Sequence, residues 1–231
     1  DSAYETAIEF KNNGADPLIL DTRKEHNSDL INEAKNKDIE IKFNHAVIKA
    51  NGYKKVKSAI IGELSEDKTK YKNTDTVECD CICVSGFWTP SVHLASQSGN
   101  KLKFDKEIDA FIPDKSKQNE ITVGAANGNF TLHDTLNAGF NAGNEISKKL
   151  NNKGVDIQIP TVTEKKYKTH DKFWCAPLSE NINAKRFVDF QNDVSVTDIE
   201  IALREGYRSI EHVKRYTTLG MATDQGRTSN L

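Results

Sequence analysis

Two short apolar runs, Pro17-Leu-Ile-Leu-Asp21 and Ile39-Glu-Ile-Lys-Phe43, bracket the segment "NSDLINEAKNK" from Asn27 to Lys37. The segment carries its apolar residues at helical spacing, and Asn27 or Ser28 stands where an N-cap belongs. A strand, a helix and a strand with such short joints argue for a parallel pair, because parallel strands need a crossover between them. Ahead of this unit, Ala3, Ala7, Ile8 and Phe10 recur at helical intervals over Ser2 to Asn13, and Gly14 stops them. The fold class this predicts is α/β.

From Ala46 the pattern changes. Asn51-Gly52 lies between two alternating runs, "AVIKA" and "VKSAIIGEL", which is a hairpin signal, and a third polar strand is expected over Lys70 to Val77. In "ECDCICVSG" the three residues Cys79, Cys81 and Cys83 alternate, so on a strand they share a face. Thiolates so placed could bind a metal, but a site needs a fourth ligand and usually a turn. Packing of small apolar groups on a buried strand is the reading the pattern favours. Then follow a short helix after "GFWTP", a helical or hairpin stretch "FDKEIDAFIP", and a strand leading through "GAANG" to a long helix from about Thr131 to Leu150. Lysine-rich residues 151–185 read as a linker or arm. In the last stretch Ser195 with Asp198 forms a capping box for one short helix, with Val196, Ile199 and Leu203 on its apolar face and Gly206 at its end. Ser209 is the expected cap of a second, with Ile210 and Val213 inward.

The chain has 231 residues, 36% of them hydrophobic and 29% charged, with a net charge of −2. That describes a globular protein and gives no basic excess for nucleic acid or an anionic membrane surface. No apolar run approaches the roughly 20 residues of a bilayer span. Four cysteines are too few and too uneven for a secreted disulfide scaffold, which points to a reducing, cytoplasmic setting. Asp1 in place of Met suggests a piece of something longer. The histidines have no metal spacing; His93, His133 and His212 read as packed or surface residues, and Trp88 and Trp174 as buried indoles. No catalytic or metal-binding residue is assigned.

Two glycine turns suggest a nucleotide. Gly124-Ala125-Ala126 opens the turn before the long helix, where backbone N–H groups can approach a phosphate. "DCICVSGFWTP", containing Gly86, resembles the second fingerprint of the flavoprotein disulfide reductase superfamily, and "GAANG" follows where that superfamily places its last cofactor-contacting turn. Asp21 ends its strand where a Rossmann unit puts a ribose-binding acid, though no G-x-G-x-x-G precedes it. A plain strand-end carboxylate meeting solvent or Arg23 is an equal reading.

The C-terminal stretch "FVDFQNDVSVTDIEIALREGYRSIEHVKRYTTLGMATDQGRTSN" resembles the alpha-subunit family of heterotetrameric sarcosine oxidases, and "SGFWTPSVHLASQSG", "GAANGNF" and "FWCAP" agree in order upstream. The resemblance implies a two-dinucleotide-binding, Rossmann-type fold followed by a small helical unit like a [2Fe-2S] domain. Residues 1–84 would be an inserted nucleotide domain truncated at its start and 85–150 the returning part of the FAD/NAD-type domain. Residues 151–185 would then be the arm and 186–231 the helical unit. Relatives among amine and imino-acid dehydrogenases hold a cluster there on four cysteines, at positions that are here Asp189, Gln191, Asp224 and Ser229, so no iron–sulfur cluster is expected.

By the same resemblance the parent complex converts sarcosine, oxygen and tetrahydrofolate to glycine, hydrogen peroxide and methylene-tetrahydrofolate. This chain would bind NAD and wall an FMN that is covalently attached to a beta-subunit histidine at the interface; the beta subunit also holds FAD and oxidises the amine. Gamma and delta subunits complete the assembly, and tetrahydrofolate binds a further domain. Arg215, Thr217, Thr218, Thr223, Gln225 and Arg227 are the candidate FMN donors, with a plain subunit-docking loop as the alternative. Other readings are a subunit of a proline or opine dehydrogenase, or a non-catalytic scaffold.

Overall fold

In the computed structural model the strands β1 (Leu18–Asp21) and β2 (Glu40–Phe43) lie side by side and parallel, Leu18 opposite Glu40 and Asp21 opposite Phe43. The helices α1 (Ser2–Asn12) and α2 (Asp29–Asn36) supply the rest of the core: Tyr4, Ala7 and Ile8 from the first, and Leu30, Ile31 and Ala34 from the second, against Ile19 and Ile39. The first trio is spaced i, i+3, i+4 and the second i, i+1, i+4, and each spacing keeps its side chains on one face. Ser28 caps α2, its hydroxyl accepting from the Ile31 N–H at 3.3 Å. Ile31 is fully buried, a contribution of about 1.5–3 kcal/mol. The structure describes residues 1–86, 88–150, 158–162, 173–179, 182–227 and 229. Much of the expected arm over 151–185 lies outside the described residues.

Three antiparallel strands follow, β3 (His45–Gly52), β4 (Val56–Leu64) and β5 (Tyr71–Glu78), with β4 in the middle. The hairpin is where Asn51-Gly52 announced it, but those two residues are not its turn. Gly52 pairs with Val56 across a register shift, and the chain reverses over Tyr53 to Lys55. Gly52 has φ +153°, and a Cβ there would collide with the Lys55 carbonyl oxygen.

The strand expected over Cys79 to Ser85 does not form. The ladder ends where Cys79 N–H donates to the Lys57 carbonyl at 3.1 Å. Beyond it no strand among the described residues offers a partner. Cys81 and Cys83 are exposed and Cys79 half-buried, with the Cys81 and Cys83 sulfurs 3.8 Å apart. Buried packing of the three thiols is therefore incorrect, as is burial of the indoles: Trp88 and Trp174 are both mostly exposed.

Residues Asp1–Ser85 and Tyr167–Leu231 form one unit and Gly86–Lys166 another. The second unit holds α3 (His93–Gln97), the hairpin β6 (Leu102–Asp105) and β7 (Ala110–Pro113), a 3₁₀ turn at Gly124–Asn127, and α4 (Leu132–Lys149) capped by Thr131. "NEITV" before the turn is irregular rather than a strand. The C-terminal part of the first unit comprises β8 (Phe187–Asp189), β9 (Val194–Ser195), α5 (Val196–Arg204) and α6 (Ile210–Thr217). The Ser195/Asp198 capping box is present, and Gly206 ends α5 with φ +96°. Ser209 occupies the N-cap of α6 without a side-chain bond. Ile210 and Leu203 face outward; Ala202, Val213 and Leu219 are the buried residues. Helices this short meet through a small residue, which turns the neighbouring Leu203 by about 100° away from the contact.

Gly62 sits under the Tyr71 ring, and a Cβ there would lie 2.5 Å from Tyr71 Cδ1 and 2.7 Å from Ile48 Cδ1. Gly62→Ala is expected to destabilise the protein by about 1–3 kcal/mol through overpacking. Urea unfolding checks this, and an unchanged midpoint would show that the three-stranded sheet adjusts freely.

Candidate cofactor site

Asp189, the last residue of β8, is almost wholly buried, and its carboxylate collects three backbone donors. Its Oδ1 accepts from the N–H groups of Gln191 at 2.8 Å and Asn192 at 3.2 Å, the hydrogen bonds of an aspartate closing its own turn. Its Oδ2 accepts from the N–H of Gly220 at 2.8 Å, in the loop beyond α6. Neighbouring side chains repeat the connection: Asn192 Nδ2 donates to the Thr218 carbonyl at 2.9 Å, and Thr223 Oγ1 donates to Gln191 Oε1 at 2.7 Å. The Gly220 N–H, with those of Gln191 and Asn192, holds the Asp189 carboxyl below the ordinary carboxylate range, against burial and the charge of Asp224, which push it up.

The loop thus tied down needs unusual backbone. Thr218, Gly220, Gln225 and Gly226 all have positive φ. Thr217 stabilises the end of α6 twice, donating to the Val213 carbonyl at 2.8 Å and accepting from the Leu219 N–H at 3.2 Å. Ser229 is buried, and its hydroxyl finds no hydrogen-bond partner among the described residues. Thr228, Asn230 and Leu231 lie outside the described residues.

Beside this loop opens a cleft of about 290 Å³ lined by Glu211, Lys214, Arg215, Gly220, Met221 and Gln225. It carries two cations and one acid. Arg215 Nη1 is 3.4 Å from Glu211 Oε2 and donates to the Glu211 carbonyl at 3.0 Å. Of the residues expected to contact FMN, Arg215 and Gln225 line the cleft. The hydroxyls of Thr217, Thr218 and Thr223 are spent on Val213, the Thr217 carbonyl and Gln191. Glu211, Lys214, Gly220 and Met221 also line the cleft and have no spacing that marks them in the sequence. Asp189 was noticed only as a replaced cysteine position, although "VDFQND" carries the turn signal of an aspartate two residues before a free N–H.

Asp21 ends β1 inside a separate network of the same unit. Its Oδ1 accepts from the backbone N–H of Arg23 at 2.9 Å and from Nε at 3.0 Å; its Oδ2 accepts from Tyr4 Oη at 2.7 Å and Arg23 Nη2 at 2.8 Å. Arg23 Nη1 also reaches Asp1 Oδ1 at 2.8 Å. Those donors fill the lone-pair sites a carboxylate offers. Burial alone would raise the Asp21 carboxyl, but the Arg23 and Tyr4 hydrogen bonds outweigh it and hold the group below its ordinary value. Burial and the bond to Asp21 push the Tyr4 phenol up. In the second unit Gly86 is exposed, with nothing near a Cβ built on it. Gly124 has φ +67° and lies over Thr135, and Ala125 and Ala126 continue its turn. Among the described residues no three His, Cys, Asp or Glu side chains gather as a metal site, and no helix is long and apolar enough to cross a membrane.

Residues 183–231 match the family model described as the sarcosine oxidase A3 domain. The whole chain is 30% identical, over 237 aligned positions, to the sarcosine oxidase alpha subunit of Corynebacterium sp. (strain P-1). It is 36% identical over 68% of its length to that of Rhizobium meliloti (strain 1021). The chain spans 24% and 16% of the lengths of these two relatives. Among solved structures, 92% of it superposes on 42% of the L-proline dehydrogenase from P. horikoshii, with a TM-score of 0.55 and 16% identity, a likeness of Rossmann-type α/β fold.

Two outcomes are expected. Asp189→Ala releases the 218–223 loop and lowers the thermal midpoint by roughly 4–8 °C; Asp189→Asn lowers it less, because one oxygen still accepts. The folded forms of Asp21 and Asp189 titrate below the about 3.9 of an unfolded chain. Their stabilisation is therefore complete above about pH 4 and is lost as pH falls toward the folded values. Acid titration followed by circular dichroism should find a shallower loss below about pH 4 in Asp189→Asn than in the unmodified protein.

Proposed function

The chain belongs to the sarcosine oxidase alpha-subunit family, and from that premise we propose that it serves a multi-subunit enzyme oxidising sarcosine with oxygen. The products are glycine, hydrogen peroxide and, with tetrahydrofolate, methylene-tetrahydrofolate. The observation that carries this reading is the continuity of the family match through residues 183–231, where the Asp189 clamp and the cationic cleft lie.

The four positions at which related dehydrogenases carry cluster cysteines hold Asp189, Gln191, Asp224 and Ser229 here. Cluster iron requires thiolate, with rare imidazole replacement, and carboxylate, amide and hydroxyl oxygens do not fit it. The Asp189 oxygens are moreover occupied by backbone N–H groups. No step of the reaction is routed through a cluster in this subunit.

FMN fits the same region better. Lys214 and Arg215 would hold its phosphate by charge-assisted bonds. The Gln225 amide oxygen with the Gly220 and Met221 carbonyls would meet donors on the polar edge of the molecule, since the N–H groups of Gly220 and Met221 are given to Asp189 and Thr218. When bound, FMN supplies electron transfer to oxygen. This chain's part is to position the group and shield one side of it, while the beta subunit, with its FAD, oxidises the amine. The gamma and delta subunits complete the complex. NAD is assigned to this chain with Gly86, Gly124, Ala125 and Ala126 as the backbone nearest it. Asp21 is left out of that site, its acceptors being filled by Arg23 and Tyr4.

Oxygen uptake by the full-length complex on addition of sarcosine, with peroxide formed in step, is the expected result. Dye reduction by proline with no oxygen uptake would mean a related dehydrogenase instead. Arg215→Gln is expected to lower the FMN content of the assembled complex about tenfold through loss of a charge-assisted contact that holds the group for attachment, read as covalently bound flavin remaining with the denatured protein. Unchanged flavin content would return the loop to a docking role.

A further inference from the structure

Two places in a nucleotide-binding α/β unit receive the ligand. The pyrophosphate lies at a helix N-terminus, and the adenosine ribose meets an acid that ends the strand following that helix. Here those places are held by Asp1, the N-cap of α1, and Asp21, the last residue of β1. Both carboxylates are buried, with side chains 2% and 7% exposed, and a single guanidinium joins them. Arg23 Nη1 donates to Asp1 Oδ1 at 2.8 Å, while its Nε and Nη2 reach the two oxygens of Asp21. Tyr4 joins from α1, its phenol donating to Asp21 Oδ2 at 2.7 Å.

This network opposes a dinucleotide in three ways. A ribose diol binds a carboxylate by donating to it, and Asp21 already accepts as many hydrogen bonds as its oxygens have lone-pair sites. A pyrophosphate is an anion, and two carboxylates against one guanidinium leave the place where it would lie negative. Arg23 is also held from behind, since the Asn44 N–H, just beyond β2, donates to its carbonyl at 3.0 Å. Drawing the guanidinium aside for a ligand would strip two buried carboxylates of the cation they share.

We propose that the layer made by α1, β1, α2 and β2 takes no dinucleotide, because the Asp1–Arg23–Asp21–Tyr4 network occupies the places of the pyrophosphate and the ribose. The network does the ligand's structural work, tying the start of α1 to the end of β1. This rests on the reading that the chain holds NAD, and goes beyond it by closing the whole of this layer rather than Asp21 alone. NAD is then held without any contribution from residues 1–43.

The test is the NAD content of the full-length subunit after dialysis, released by denaturation and measured per subunit. An aspartate that binds a ribose loses about tenfold in nucleotide affinity when it becomes asparagine. Asp21→Asn and Tyr4→Phe are expected to leave the NAD content unchanged while lowering the thermal midpoint by several degrees. Loss of NAD from either variant, with its circular dichroism unchanged, overturns the proposal. Where a variant does not fold, or the unmodified subunit carries no NAD, photolabelling of the unmodified subunit with 8-azido-NAD decides. Label within residues 1–43 overturns the proposal; label confined to other residues, or no label, supports it. The NAD reading fails separately. A subunit with neither NAD nor label ends that reading and leaves the α1–β2 layer closed. Gly124→Val, at φ +67° with Thr135 Cγ2 3.2 Å from its Cβ, is expected to lose NAD. Full NAD content in that variant would refute the Gly124 assignment without opening the first site.

Discussion

One buried carboxylate holds the C-terminal part of this protein in shape. Asp189 collects N–H groups from its own turn and from Gly220, in the loop beyond α6. A segment so rich in glycine, threonine and other polar residues buries little apolar surface with which to offset its conformational entropy. Charge-assisted bonds to three backbone donors replace that missing burial. The left-handed residues of the loop, Thr218, Gly220, Gln225 and Gly226, are tolerated because the ties at Gly220, Thr218 and Thr223 fix the path around them. The cleft between Lys214, Arg215 and Gln225 exists only while that path is held.

The same chemistry recurs at the other end of the unit. Asp21 also closes a strand, is also buried, and is also saturated by donors from its own surroundings, here Arg23 and Tyr4. Both acids stand where sequence reasoning looks for a ligand: a ribose for Asp21, a cluster iron for the position of Asp189. In each case the fold supplies the donors first. An anion in a buried place must be compensated, and the nearest backbone or guanidinium does this at less entropic cost than a diffusing molecule.

The elements legible in the sequence were those whose signals are local. The strand–helix–strand opening, the capping box at Ser195 and the end of α5 at Gly206 all depend on residues within a few positions of each other. The misread elements depended on distant partners. Alternation over Cys79 to Ser85 fits a strand, but a strand forms only beside another, and β5 ends at Glu78. Ile210 and Leu203 carry the apolarity of inward residues, but the contact between two short helices is set by Ala202 and Val213, and the bulkier groups turn outward.

By itself the sequence determined the α/β class, the hairpin near Asn51, the caps of α2 and α5 and the family to which the chain belongs, because propensity, spacing and residue identity are written in neighbouring letters. Only the tertiary structure decided what the polar residues do. It spent the hydroxyls of Thr217, Thr218 and Thr223 on the fold, left Arg215 and Gln225 lining a cleft with hydrogen-bonding capacity beyond the Glu211 and Ala222 groups they reach, and made a clamp of Asp189. The physical reason is that a hydrogen-bonding side chain is free for a ligand only if no closer partner claims it, and that partner can stand anywhere along the chain.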